Sequence, residues 1–96
     1  MLTAIVLIHT DPDRIPEVAA AIADLPKVRE VYSVTGDVDL IAMVQVHAHE
    51  ELADVIANQL SKVPGVRDTR TYIAFQAYSR HDLDAAFDLG LDPVVD

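Results

Sequence analysis

Hydrophobic positions along the chain follow two periods, one typical of strands and one typical of helices. Segments 2–8 and 40–46 are apolar at nearly every position, which predicts strands covered on both faces. Segments 28–35 and 66–78 mix charged with apolar residues, which is typical of strands at sheet edges. Apolar residues also recur every three or four positions in two stretches that end near Pro26 and Pro64, and each stretch predicts an amphipathic helix. The residues of these stretches are Ile15, Val18, Ala19, Ile22 and Leu25, then Leu52, Val55, Ile56, Leu60 and Val63.

The first two thirds of the chain match themselves without gaps at a shift of 38 residues. His9 falls on His47, and the motif Pro-x-Val-Arg-acid occurs at positions 26–30 and again at 64–68. Each half therefore consists of a strand, a helix, a turn and a strand. This order predicts an α+β ferredoxin-like βαββαβ fold with a four-stranded antiparallel sheet.

Such a sheet places the first and third strands in the centre, and the two helices can cover only one of its faces. About half of the apolar side chains of the central strands would then be exposed in a monomer. We therefore expect a second subunit to pack its sheet against this one, giving a sheet-to-sheet homodimer.

Composition limits the classes of function that this chain can have. The chain has 96 residues, which predicts one small domain, and a formal net charge of −9, which disfavours direct binding to nucleic acid. It has no cysteine, which excludes disulfides, thiolate nucleophiles and zinc–cysteine sites. The apolar opening is too short to span a membrane and lacks the basic lead-in of a signal peptide. We expect a cytoplasmic protein with no membrane partner and no cofactor.

The polar C-terminal part, residues 80–96, is predicted separately from the rest of the chain. Leu83, Ala86, Phe87 and Leu89 are spaced as on a short amphipathic helix over residues 80–90, which Gly90 ends and an acidic tail follows. A flexible tail is the alternative interpretation of this segment. We therefore divide the chain into a ligand-binding domain over residues 1–79 and a C-terminal helix and tail over 80–96.

The segment 35–39, Thr-Gly-Asp-Val-Asp, joins the second and third predicted strands. One interpretation is an ordinary hairpin, because glycine accepts the positive φ that tight turns need. A second interpretation is a ligand site. Approachable N–H groups near Gly36 suit a carboxylate, and Asp37 and Asp39, two residues apart, suit an ammonium group. These are the two ends of an amino acid.

Together with Pro64-Gly65-Val66 and Thr69-x-Thr71-Tyr72-Ile73, this turn resembles the effector-binding domain of the leucine-responsive and asparagine-type (Lrp/AsnC) regulators, also called the regulation-of-amino-acid-metabolism (RAM) domain. The resemblance covers about residues 2–78. It implies a ferredoxin-like fold, dimers that assemble into larger rings such as octamers, and a small amino-acid effector bound between subunits. The ligand-binding residues that it implies are Gly36, Asp37, Val38, Asp39, Thr69 and Thr71.

No helix-turn-helix precedes Leu2, so the chain resembles the stand-alone version of this domain. We expect it to be non-enzymatic and to modulate transcription or amino-acid metabolism through assembly, with a DNA-binding family relative as a further candidate partner. We also place the turn at residues 36–39 and the start of the fourth strand at opposite ends of the sheet. A pocket that uses both would then have to be shared between subunits.

Three alternatives remain open. His9 and His47, placed at one end of two adjacent parallel strands with Asp11 and His49 nearby, could hold zinc or nickel. The repeat mates Arg29 and Arg67 are either solvated strand starts or an anion site. Other ferredoxin-like modules, such as ACT-type amino-acid-binding domains or small dimeric α+β barrel enzymes, share the predicted architecture.

Overall fold

The computed structural model describes residues 1–78 and consists of one sheet with two helical segments. The elements are β1 (Leu2–Thr10), α1 (Ile15–Ala23), β2 (Val28–Ser33), β3 (Leu40–Val46), α2 (His49–Ala53 with the two turns that follow it) and β4 (Val66–Ala74). A short 3₁₀ turn over Pro12–Arg14 leads into α1. Helix α2 changes its winding along its length, from an α-helix to a wider π-helical turn over Asp54–Gln59 and a final 3₁₀ turn over Leu60–Lys62.

The four strands lie in the order β2-β3-β1-β4, and each neighbouring pair is antiparallel. This confirms the predicted fold and the central position of β1 and β3. The strand ends differ from the prediction, because β1 continues to Thr10, β2 stops at Ser33 and β4 stops at Ala74. The predicted helix over residues 80–90 and the acidic tail lie outside the described residues.

The core lies between the helices and one face of the sheet. Alternate residues of β1 and β3 are buried, and the residues between them are only half-buried, as expected when helices cover a single face. The helices contribute the apolar side chains that the three- and four-residue spacing selects. The buried core consists of Ala4, Val6, Ile8, Leu40, Ala42, Val44 and Val46 from the sheet and Val18, Ile22, Leu52, Val55 and Leu60 from the helices.

The other face of the sheet, which we call the open face, is apolar at its centre. Ile5 and Leu7 of β1 alternate with the core residues of that strand, and Ile41 and Met43 do so on β3. Tyrosines flank this centre on both edge strands. Tyr32 pairs with Ile41, Tyr72 pairs with Ile5, and the two side chains are 48% and 50% exposed. The predicted apolar open face is therefore present in the fold.

Gly65 brings the start of β4 close to α1. Its carbonyl oxygen accepts a hydrogen bond of 2.9 Å from the Asp11 N–H. Its φ is +99°, and a Cβ at this position would lie 2.6 Å from Cγ2 of Val18. Only glycine satisfies both the backbone angle and the space. Within residues 1–78, no helix combines the length and the apolar character that crossing a lipid bilayer requires.

Candidate functional site

The 36–39 turn and the start of β4 lie at the same end of the sheet. In the pairing with β3, Ile8 of β1 is opposite Leu40, and in the pairing with β4 it is opposite Thr69. The expectation that these two segments lie at opposite ends was wrong. Because β1 is antiparallel to both of its neighbours, the starts of β3 and β4 both fall beside its C-terminal end. A pocket that uses both segments can therefore form within one chain.

Asp39 is fixed at this end by three hydrogen bonds. Its N–H donates to the carbonyl oxygen of Ile8 at 3.0 Å, and its own carbonyl accepts from the Val34 N–H at 3.1 Å. Its carboxylate oxygen Oδ2 accepts from the backbone N–H of Thr10 at 2.9 Å. Thr10 is 2% exposed, so this carboxylate satisfies a donor that water does not reach. Asp39 thus connects the 36–39 turn to the end of β1.

His9 makes the second connection. Its Nδ1 lies 2.5 Å from the Asp68 carboxylate oxygen Oδ1, and its Nε2 lies 2.6 Å from the backbone carbonyl oxygen of Asp37. The hydrogen bond with Asp68, followed by that with Asp37, raises the pKa of His9 above its ordinary value. The ring therefore spans from β4 to the 36–39 turn across the end of β1.

An open cavity of about 340 Å³ lies beside these contacts. Its lining combines a guanidinium group with two carboxylates, which come from Arg67, Asp39 and Asp68. The Arg67 side chain is 66% exposed, and its Nε lies 3.9 Å from a carboxylate oxygen of Asp11, a separation too long for a strong pair. The cavity therefore offers both signs of charge to a small polar molecule. Its lining residues are His9, Thr10, Pro12, Asp39, Arg67 and Asp68.

Comparison with known families gives a match over residues 3–83 to the Lrp/AsnC ligand binding domain. The chain belongs to the Lrp/AsnC family. Among its relatives, the leucine-responsive regulatory protein of Haemophilus influenzae is 33% identical over 76 residues, which cover 79% of this chain and 46% of the relative. The chain spans about half the length of the curated relatives it matches.

Solved structures of similar proteins share the fold. A Thermus thermophilus protein is 48% identical, with a TM-score of 0.78, and the match covers 83% of this chain and 100% of that one. The feast or famine regulatory protein of Mycobacterium tuberculosis, solved in complex with L-methionine, is 28% identical with a TM-score of 0.70, and the match covers 83% and 54% of the two chains. Several curated relatives are named as transcriptional regulators, so the family is regulatory. This membership decides against the ACT-type alternative and disfavours the enzyme alternative.

The structure distributes the six predicted ligand residues of this Lrp/AsnC domain over two faces. Asp39 lines the cavity, and Asp37 contributes its backbone carbonyl to the contact with His9. Gly36, with φ of +120°, and the half-buried Val38 shape the turn. The pairing of β4 with β1 places Thr69 opposite Ile8 and Thr71 opposite Val6. Both threonines therefore lie on the face of the sheet that the helices cover.

Some cavity residues were absent from the predicted ligand set, namely His9, Thr10, Pro12, Arg67 and Asp68. The available signal was the second copy of the repeated motif, Pro-x-Val-Arg-acid, which ends in Arg67 and Asp68. The charged residues of a strand start were hard to assign to a site because solvated strand ends look the same in sequence.

The metal alternative rested on a placement that was wrong. Strands β1 and β3 are antiparallel, so His9 and His47 lie at opposite ends of the sheet. Two repeats related by rotation within an antiparallel sheet place their equivalent residues at opposite ends. Within residues 1–78, no three histidine, aspartate or glutamate side chains are grouped to hold a metal ion. The same geometry separates Arg67 from Arg29, whose Nη1 donates to Oε1 of Gln45 at 2.9 Å, so the two arginines do not form one anion site.

Proposed function

We propose that this domain binds a free α-amino acid as an effector at the cavity beside the 36–39 turn, and that binding controls transcription or amino-acid metabolism through assembly rather than catalysis. The observation that carries the proposal is the cavity itself, which brings the guanidinium of Arg67 and the carboxylate of Asp39 to one end of a regulator fold. The L-methionine complex of the M. tuberculosis relative supports an amino acid as the class of ligand.

A zwitterion fits the charges of the cavity. The guanidinium of Arg67 suits the α-carboxylate, because arginine binds carboxylates through paired N–H donors. The Asp39 carboxylate suits the α-ammonium group. Its contact with Thr10 uses Oδ2, and we assign Oδ1 to the ammonium group. Arg67 is the more exposed of the two groups and has room to move toward a ligand.

The other predicted residues have supporting roles in this proposal. The backbone of Gly36, Asp37 and Val38 positions Asp39, and the Asp37 carbonyl contacts His9 of the cavity lining. Thr69 and Thr71 lie on the face of the edge strand β4 opposite to the face that carries Asp68. We therefore assign them to contacts with an effector that a neighbouring subunit holds.

We further propose that the domain works as a homo-oligomer. A second subunit covers the open face, giving a sheet-to-sheet dimer, and dimers associate into a larger ring such as an octamer. The apolar centre of the open face supports the dimer, because exposed apolar surface of this kind marks association sites. In this proposal the domain acts in the cytoplasm, and a DNA-binding family relative is a candidate partner.

A thermal-shift screen against the twenty amino acids, monitored in parallel by light scattering, tests the proposal. A ligand at 100 times its Kd stabilises the folded state by about 2.7 kcal/mol, which gives a clear rise in Tm. L-Methionine is the first probe. If no amino acid changes either Tm or the oligomer distribution, the effector proposal is wrong.

Replacing Arg67 with glutamine tests the assignment of the carboxylate anchor. We expect R67Q to weaken amino-acid binding about tenfold or more, since hydrogen bonds to charged groups contribute roughly 1.5–3 kcal/mol. Isothermal titration calorimetry measures the change. The matched control is R29Q at the other end of the sheet, where we expect unchanged affinity. Equal affinities for R67Q and the unmodified protein would remove Arg67 from the site.

A further inference from the structure

The two hydrogen bonds of His9 set a condition on its protonation. One partner is the Asp68 carboxylate and the other is the Asp37 backbone carbonyl. A carbonyl and an ionised carboxylate both accept hydrogen bonds and donate none. A neutral imidazole carries one N–H and can therefore satisfy only one of these partners. The doubly protonated ring satisfies both.

These contacts join segments that are far apart in sequence. Asp68 belongs to β4, Asp37 belongs to the 36–39 turn, and His9 lies between them on β1. Asp39, two residues after Asp37, lines the cavity together with His9 and Asp68. A change in the protonation of the His9 ring therefore alters contacts both in the 36–39 turn and in the lining of the cavity.

We propose that the His9 imidazolium is a positioning residue that holds the 36–39 turn against β4, so that proton binding at His9 is coupled to effector affinity at the cavity. The coupling to the effector rests on the proposed function, whereas the positioning of the turn does not. When His9 loses a proton, one of its two hydrogen bonds is lost, so the ring no longer joins the 36–39 turn to β4.

The electrostatic surroundings favour the charged ring. Carboxylates of β4 and of the 36–39 turn act on the ring, and Arg67 of β4 lines the cavity beside it. Hydrogen bonding to Asp68 and to the Asp37 carbonyl raises the pKa of His9, and the charges of Asp68 and Asp39 act in the same direction. The other charged residues of β4, of the 36–39 turn and of the start of the loop after β1 are Arg70, Asp37 and Asp11.

The sign of the pH dependence follows from this direction. Because the folded-state pKa of His9 is raised, its stabilising contribution is complete below the unfolded-state pKa and is lost as pH rises through the folded-state value. Order in the turn, and with it amino-acid affinity, should therefore decrease on going from mildly acidic to alkaline pH. The expected loss of affinity is about threefold, because the ring is partly exposed and solvent weakens the coupling.

Nuclear magnetic resonance on the ¹⁵N-labelled chain tests the positioning of the turn without any effector. We expect both ring nitrogens of His9 to carry protons on the acidic side of its titration, and the amide signals of residues 36–39 to shift with the same midpoint as the ring. D68A should lower that midpoint. The H9Q side chain keeps an amide donor but does not titrate. In this variant the backbone amide signals of residues 36–39 should no longer shift at this midpoint. H47Q, at the opposite end of the sheet, should leave them unchanged.

Calorimetry with L-methionine at several pH values then tests the coupling. The affinity of the unmodified protein should fall about threefold through the His9 midpoint, whereas that of H9Q should not depend on pH in this range. The inference would be overturned if the amide signals of residues 36–39 did not shift as His9 titrates. It would also be overturned if the affinity for L-methionine depended on pH equally in the unmodified protein and in H9Q. If the amides follow His9 but no amino acid binds in the screen, the proposed function fails, and with it the coupling to the effector, while the positioning role stands.

Discussion

At the scale of single residues, two glycines with positive φ have different reasons for being glycine. Gly36, with φ of +120°, has open space where a side chain would begin. Gly65, with φ of +99°, has Cγ2 of Val18 only 2.6 Å from the position of an added Cβ. Backbone angle restricts the first position, whereas backbone angle and packing restrict the second.

This difference predicts unequal costs for the same substitution. We expect G65A to lower the free energy of unfolding by about 3 kcal/mol, the sum of backbone strain and a steric clash with α1. G36A is the matched control and should cost about 1 kcal/mol, from strain alone. Urea denaturation measures both. Equal losses for the two variants would show that the contact with Val18 relaxes freely.

At the scale of secondary-structure elements, Asp39 acts as the junction between β3 and β1. Its backbone pairs with Ile8 and Val34, and its side chain accepts from the N–H of Thr10. The same residue that a ligand hypothesis selects therefore also closes the end of the sheet. A loss of binding in an Asp39 variant can arise from either role.

Two substitutions at position 39 separate these roles. D39A leaves the buried N–H of Thr10 without its acceptor, so we expect a loss of about 1–3 kcal/mol of stability together with a loss of amino-acid binding. D39N keeps a side-chain oxygen for Thr10 but removes the charge, so it should lose less than about 1 kcal/mol while binding is still weakened. Thermal unfolding and calorimetry measure the two effects. If D39N binds as tightly as the unmodified protein, the carboxylate charge has no part in recognition.

The winding of α2 is a second feature at this scale. The carboxylate of Asp54 accepts hydrogen bonds from the side chains of Asn58 at 3.0 Å and Gln59 at 2.8 Å. Asn58 lies four residues further along, as in a regular α-helix, whereas Gln59 lies five residues further along, which matches a wider turn. The apolar spacing predicted a helix here, but it contained no sign of the wide turn.

At the scale of the whole molecule, the fold divides apolar surface unequally between its two faces. The helices bury one face of the sheet, while Ile5, Leu7, Ile41 and Met43 remain half-buried on the open face. Two sheets that pack face to face lie about 10 Å apart and interleave such side chains. An identical open face on a second copy provides a matching surface.

Placing a charge at the centre of the open face should therefore oppose self-association. We expect I41E to move the protein toward monomers at micromolar concentration, because a carboxylate would be buried without a partner in the dimer. Sedimentation velocity measures the shift. The control is A57E, an exposed position on the helical side, which should leave the oligomeric state unchanged. A monomeric unmodified protein would contradict the proposed dimer.

The strand order and the core of this molecule could be predicted because they depend on local pattern. Burial on alternate positions of β1 and β3, and at Val18 and Ile22 of α1, follows directly from the apolar spacing. The 36–39 turn was also identified as a candidate from its glycine and aspartates. The relation of this turn to Arg67 and Asp68 was not predicted, because it depends on which strand ends share an edge.

The sequence by itself determined the repeated strand–helix–strand halves, the face that each helix buries and the membership of a recognisable family. All of these depend on patterns of residues within short stretches of the chain. Only the tertiary structure decided that His9, Asp39 and Asp68 meet at one end of the sheet and that His47 lies at the other. The physical reason is strand direction. Antiparallel pairing reverses each neighbouring strand, so residues that are equivalent in the repeat separate, and residues 59 positions apart, such as His9 and Asp68, come into contact.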